Sequence, residues 1–191
     1  SKDFKMKRIT VGKGVHKVLL NKQTGIYMDI FSSTIEPRKY SVYKNDGTFV
    51  NDIYRAENPL AEFKLGKLEI KPILVGDNTA LYTRTLFPPD LDKSKKYPVI
   101  VYVYGGPHAQ MITESWLGGA NLWFHYMAQN GYIVYTIDNR GSSNRGQAFE
   151  SATFRHLGVL EAEDQMAGLP ERKSEEGRVG DGGKSRCAQC Q

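Results

Sequence analysis

Y-P-V-I-V-Y-V-Y-G-G, residues 97–106, followed at once by Pro107, is the stretch on which the fold turns. Val99 to Tyr104 form an unbroken run of β-branched and aromatic residues without a charge. Such a run predicts a strand buried on both faces, the central-strand signature of an α/β sheet. Pro98 suits the first residues of a strand, where a missing N–H costs little. Gly105, Gly106 and Pro107 then force a turn. Tyr104 is the last side chain before that turn, at the strand's carboxyl end. Open α/β sheets place their ligands along that edge. A tyrosine there is either a core residue with a satisfied hydroxyl or a donor aimed into a site.

Downstream, strand and helix patterns alternate. Residues 118–129 predict a helix whose apolar face carries Leu122, Trp123, Tyr126 and Met127. Asn130-Gly131 ends it. Trp123 and Trp116 read as packing residues. Residues 132–137 predict a second buried strand. The polar loop Asp138-Asn139-Arg140-Gly141-Ser142-Ser143 follows it. Residues 148–154 and 159–167 predict helices. The second has Glu161, Glu163 and Asp164 in its first turns, where the helix dipole favours acids. This order is the βαβ pattern of a parallel sheet.

Upstream, residues 1–62 predict short strands at 9–20, 25–32, 40–43 and 49–54, separated by turn residues. Asp46-Gly47 is a hairpin signal. Four meandering strands make one propeller blade, too few for a closed propeller, and no second copy is visible. His16 on the first strand reads as structural. Asn58-Pro59 breaks the pattern. Residues 67–75 and 79–87 predict two more strands around Gly76-Asp77-Asn78. The charged run at residues 92–96 reads as a solvated loop that guards the apolar strand behind it.

The 191 residues are 40% hydrophobic and 25% charged, an ordinary globular balance. The net charge is +5. Basic residues are scattered among acids, which argues against nucleic-acid binding. No apolar run approaches the ~20 residues of a membrane span. The chain starts Ser1-Lys2-Asp3-Phe4, without Met, and reads as a piece of something longer. Its two cysteines, Cys187 and Cys190, give no disulfide framework.

Three stretches carry a resemblance. Lys96-Tyr97-Pro98-Val99-Ile100-Val101-Tyr102-Val103-Tyr104-Gly105-Gly106-Pro107 resembles the first strand of the hydrolase domain of the prolyl oligopeptidase family. Ile137-Asp138-Asn139-Arg140-Gly141-Ser142 is similar to that family's D-x-R-G-S loop. Arg155-His156-Leu157-Gly158, then Glu161, then Glu163-Asp164-Gln165, resembles its R-x-L-G…E-x-x-D-Q segment. The tyrosine in V-Y-G-G-P points to the dipeptidyl peptidase IV branch. The resemblance implies an α/β fold: an incomplete α/β-hydrolase sheet over 63–167, preceded over 1–62 by a β-rich segment resembling the last propeller blade. It implies a serine exopeptidase that releases Xaa-Pro or Xaa-Ala dipeptides from peptides with a free N-terminus, using no cofactor and no metal. For the full-length protein it further implies homodimers and a membrane-associated, periplasmic or secreted location. By the same resemblance Tyr104 is an oxyanion donor through its phenolic O–H. Arg140 either frames the substrate pocket or pairs with an acid of the following helices. His108 is a candidate to line the cleft, but does not match the family's catalytic histidine.

After Gln165 the family continues into G-W-S-x-G-G, and this sequence does not. Residues 168–191 form an atypical tail. From Pro170 to Arg186 the only aliphatic residue beyond glycine and proline is Val179, so the tail predicts disorder or a wrongly assigned stretch. Gly183-Lys184-Ser185-Arg186-Cys187 lacks the last glycine of a nucleophile elbow, which leaves Ser185 a poor candidate. A phosphate loop fails because Arg178 stands where its first glycine belongs. One C-x-x-C pair does not complete a zinc site. His16, His108, His125 and His156 all precede the place of the nucleophile, whereas an α/β-hydrolase keeps its base after it. The nucleophile, base and orienting acid are therefore not found in this chain, which is expected to be inactive alone. Two alternatives remain: a non-catalytic peptide- or partner-binding module of hydrolase-like fold, and an esterase. The β-rich segment before Lys96 and the later motifs count against the esterase.

Overall fold

The structure is a computed structural model that describes residues 6–169. Its strands form two sheets of four.

The first sheet is an antiparallel meander, β1 (Val15–Asn21), β2 (Ile26–Ser32), β3 (Lys39–Lys44) and β4 (Phe49–Arg55), paired in chain order. The β3–β4 turn is the one Asp46-Gly47 predicts. Gly47 has φ 94°, and the Thr48 N–H donates to Asp46 Oδ1 at 2.8 Å. Strand β2 alternates, burying Tyr27, Asp29 and Phe31. Tyr27 stacks on Tyr43 with ring centroids 5.3 Å apart. His16 is structural here: its Nδ1 lies 2.7 Å from Asp29 Oδ2, and its ring packs on Phe31. The first strand is shorter than expected, because residues 9–14 do not pair. Gly14 presses so close to the Ser32 carbonyl that a Cβ would stand 2.4 Å from it.

The second sheet runs β5 (Leu68–Leu74), β6 (Ala80–Leu86), β8 (Ile133–Asp138), β7 (Val99–Tyr102). β5, β6 and β8 are antiparallel; β7 and β8 are parallel. The connection between that parallel pair carries α1 (Leu122–Gln129). Apolar residues cover both faces of the sheet. Leu86, Ala120, Phe124, Ala128 and Val134 form one cluster, and Val75, Leu81, Tyr135 and Ile137 form the other. Helix α3 (Leu160–Ala167) lies on the second side, where the Tyr135 hydroxyl donates to the Gly168 carbonyl at 2.7 Å. The short α2 (Gln147–Glu150) precedes it.

Two further expectations are corrected. The run 97–106 is not a central strand among the described residues. It yields four strand residues at the sheet's edge, with Val99, Val101 and Val103 47%, 36% and 51% exposed. β7 has β8 on one side and no described strand on the other. The helix expected over 118–129 starts only at Leu122, capped by the Asn121 side chain, which accepts from the Phe124 N–H. Leu117, Gly118 and Gly119 all have positive φ and break the earlier turn. The buried face of α1 is Phe124, His125 and Ala128, whereas Leu122, Trp123 and Tyr126 are exposed. The face is chosen by Phe124, whose ring meets Tyr102 at 4.8 Å and lies under the Arg84 guanidinium at 5.2 Å. Expectations for residues 170–191, Ser185 and the two cysteines included, lie outside the described residues.

Candidate active site

Because β7 and β8 are parallel, their carboxyl ends share one edge of the sheet. The loops that leave them are tied together there. The His108 N–H donates to the Gly141 carbonyl at 2.9 Å, and the Ser143 hydroxyl donates to the His108 carbonyl. Asp138, the last residue of β8, accepts from the N–H groups of Met111 and Ile112 at 2.9 and 3.0 Å. Burial pushes its carboxyl pKa up, opposed by those two N–H donors and by the charges of Arg84 and Arg145. Arg84, 1% exposed, lies beneath. It donates to the carbonyls of Met111 (2.7 Å) and Gly118 (2.8 Å) and to Thr136 Oγ1 (3.3 Å). Burial lowers its pKa to about 10, countered by Asp138. The two side chains, each bonded to the loop backbone, fix the platform on which the first loop rests.

Tyr104 stands on that platform, 61% exposed, and its hydroxyl makes no hydrogen bond among the described residues. The ring folds against Gly106, where a Cβ would stand 2.7 Å from Tyr104 Cε1, so only glycine admits this pose. Tyr104, Gly105 and Gly106 form one wall of a groove of about 570 Å³, and Glu161, Gln165 and Met166 of α3 form the other. Glu161 is held by the Gly158 N–H at 3.0 Å. Gln165 donates to the Ile137 carbonyl (3.2 Å) and to Asn139 Oδ1 (3.0 Å), while its own Oε1 has no partner among the described residues. The arrangement places an exposed phenol on the glycine-lined wall of this groove.

His108 lies next to this groove, and Arg140 does not. His108 lines an adjoining groove of about 670 Å³ that shares Pro107 and Leu157 with the first. Arg140 is on the other flank of α3. Its guanidinium donates to Asp164 Oδ1 and Asp77 Oδ2, both at 2.6 Å, and its own N–H donates to Asp164 Oδ2 at 2.7 Å. Arg140 and Asp164 side chains are 17% and 1% exposed. Bonding to Asp164, then the charges of Asp164 and Asp77, raises the arginine's pKa. Of the two readings offered for Arg140, this geometry is the ion pair. Among the described residues no group of three or more His, Cys, Asp or Glu side chains could hold a metal ion. Sequence reasoning passed over Arg84. A charged residue inside Y-T-R-T-L, flanked by strand-forming residues, was the available signal.

Residues 120–181 match the prolyl oligopeptidase family. That match runs past Gln165, where the motif reading stops. The chain is similar to bovine prolyl endopeptidase FAP, 38% identical over 121 residues, covering 63% of this chain and 15% of the relative. It is similar to mouse dipeptidyl peptidase 8, 29% identical over 164 residues, covering 81% and 18%. A solved structure described as a dipeptidyl aminopeptidase IV from Bacteroides ovatus superimposes with a TM-score of 0.77 at 43% identity, covering 81% of this chain and 22% of that one. The chain therefore spans less than a quarter of the length of each of these proteins.

Proposed function

We propose, for a chain that belongs to the prolyl oligopeptidase family in its dipeptidyl peptidase IV branch, that it is part of a serine-type exopeptidase releasing Xaa-Pro or Xaa-Ala dipeptides from free peptide N-termini. The observation that carries this reading is Tyr104: a phenol without a bonding partner among the described residues, standing on a rigid platform at the carboxyl end of a parallel strand. In acyl transfer, a serine oxygen adds to the scissile carbonyl and the carbonyl oxygen becomes an oxyanion. The Tyr104 O–H donates to that oxygen as its charge develops, and a backbone N–H beside the nucleophile is the second donor. A Tyr hydroxyl suits the task because Tyr104 is exposed and lines the groove, with its ring close against Gly106.

The nucleophile, its histidine and the orienting aspartate have no assigned residue in this chain, so the 191 residues alone release no dipeptide. The readout is the purified chain against Gly-Pro-coupled chromogens, where release above the blank contradicts the proposal. In a dipeptide-releasing protein that carries this segment, Tyr104→Phe lowers kcat by about 10²-fold with little change in KM. An unchanged kcat would remove Tyr104 from the oxyanion site. The same reading makes the full-length protein a homodimer located at a membrane, in a periplasm or outside the cell. No helix among the described residues is long and apolar enough to cross a membrane.

The open edge of β7 favours a second reading, a module that binds a peptide or partner strand without catalysis. A cleanly monomeric chain that melts cooperatively supports that module. Oligomers or poor solubility support the peptidase fragment.

A further inference from the structure

The groove beside Tyr104 has a feature that the peptidase reading leaves unused. Five non-glycine residues among those described have positive φ, and three of them, His108 (59°), Asn144 (64°) and Arg155 (63°), line this one groove. A left-handed backbone costs a non-glycine residue roughly 1–2 kcal/mol, and such positions cluster where a site needs a side chain in one place. At His108 the surroundings enforce it, through the bonds to Gly141 and Ser143. Glu150, on the same groove, is in contact with His108 Nδ1. Arg155 makes no ion pair among the described residues. Its guanidinium lies 5.2 Å over the ring of Phe154, itself exposed. An uncountered guanidinium with five donors, held over an apolar wall, is suited to a carboxylate.

We propose that the groove of His108, Phe154 and Arg155 is a carboxylate-recognising extension of the Tyr104 groove, with Arg155 receiving a carboxylate of the bound peptide. Pro107 and Leu157 line both grooves, so an extended peptide passes from one to the other. The inference rests on the peptide-binding reading above. The carboxylate is either an acidic side chain or the peptide's own C-terminus, two sources with the same chemistry.

The test is titration calorimetry of the 191-residue chain with four peptides that share a free N-terminus: Ala-Pro-Ala-Glu amide, Ala-Pro-Ala-Gln amide, Ala-Pro-Ala-Gln with a free C-terminus, and Ala-Pro-Ala-Gln-Gln amide as a length control. The acidic side chain, the free C-terminus, or both bind about tenfold tighter than the two neutral amides, and which one does so identifies the source. Arg155→Gln abolishes the preference, while Arg155→Lys restores part of it. Raising salt narrows the gap, because the pair is exposed. Equal affinity for charged and neutral peptides overturns the inference and leaves the peptidase reading standing. A preference that survives Arg155→Gln also overturns it. Binding of no peptide at all removes the peptide groove on which the inference depends.

Discussion

β7 and β8 are neighbours, parallel, and similarly apolar in sequence, yet they end up in opposite circumstances. β8 is enclosed by β6, β7 and helices on both faces, with Val134 and Ile137 buried. β7 leaves its valines half exposed. The contrast continues into the loops. At the end of β8, Asp138 and Arg140 are consumed by hydrogen bonds to Met111, Ile112, Asp164 and Asp77. At the end of β7, Tyr104 has a hydroxyl with no partner among the described residues. Composition makes a strand, and neighbours decide whether it is core. The loop after β8 is fixed by its own side-chain bonds, and the exposed Tyr104 hydroxyl is not.

The largest expected effect breaks the side of β8. Arg84→Ala removes the side-chain donor of the Met111 carbonyl, leaves the Gly118 carbonyl only the Thr113 N–H at 3.4 Å, and takes away a charge that acts on Asp138. Truncating this buried side chain with its three hydrogen bonds is expected to cost roughly 3–5 kcal/mol in denaturant unfolding. A cost under ~1 kcal/mol would mean the platform is not held by this arginine. Asp164→Asn comes next, at about 2–4 kcal/mol, because Arg140 keeps only the more exposed Asp77. Asp77→Asn, on the exposed side of the same arginine, is expected to cost under ~1 kcal/mol. Similar costs for the two would contradict the buried-pair account.

The pH dependence tests α1. His125 is buried, neither ring nitrogen has a partner, and its pKa is lowered by burial and then by the charge of Arg84. The folded state therefore binds a proton less readily than the unfolded state. Stability is full above the ordinary histidine value of 6.5 and falls as pH drops from there toward the lower folded value. His125→Leu flattens that part of the profile; an unchanged profile would show that His125 is not the group responsible. The smallest effect belongs to β7. Val101→Lys on the open edge changes stability by no more than about 0.5 kcal/mol and reduces self-association measured by sedimentation. A loss of several kcal/mol would show that β7 is enclosed in solution and would end the comparison.

Much of this was legible in the residues. The strand pattern, the Asp46-Gly47 hairpin and the βαβ order of the second unit follow from local signals that the sequence carries in full. The edge position of β7 was not legible, because burial of an apolar run depends on a pairing that the run itself does not encode. The buried face of α1 was misread for a related reason. Leu122, Trp123 and Tyr126 form as good an apolar stripe as Phe124 and Ala128, and only contact with Tyr102 and Arg84 chooses between them. The place of Tyr104 just past the strand was legible, and the role given to it comes from the resemblance. Arg155 drew notice only as part of a motif, since its significance depends on backbone geometry and a groove.

Tyr104 is proposed as an oxyanion donor in a chain with no assigned serine nucleophile. The direct test is reaction of the purified chain with a fluorophosphonate serine probe, followed by intact mass and a peptide map through Gln191. The account predicts an unmodified mass and no dipeptide release. A stoichiometric adduct on any serine, accompanied by cleavage of a Gly-Pro chromogen, would contradict it.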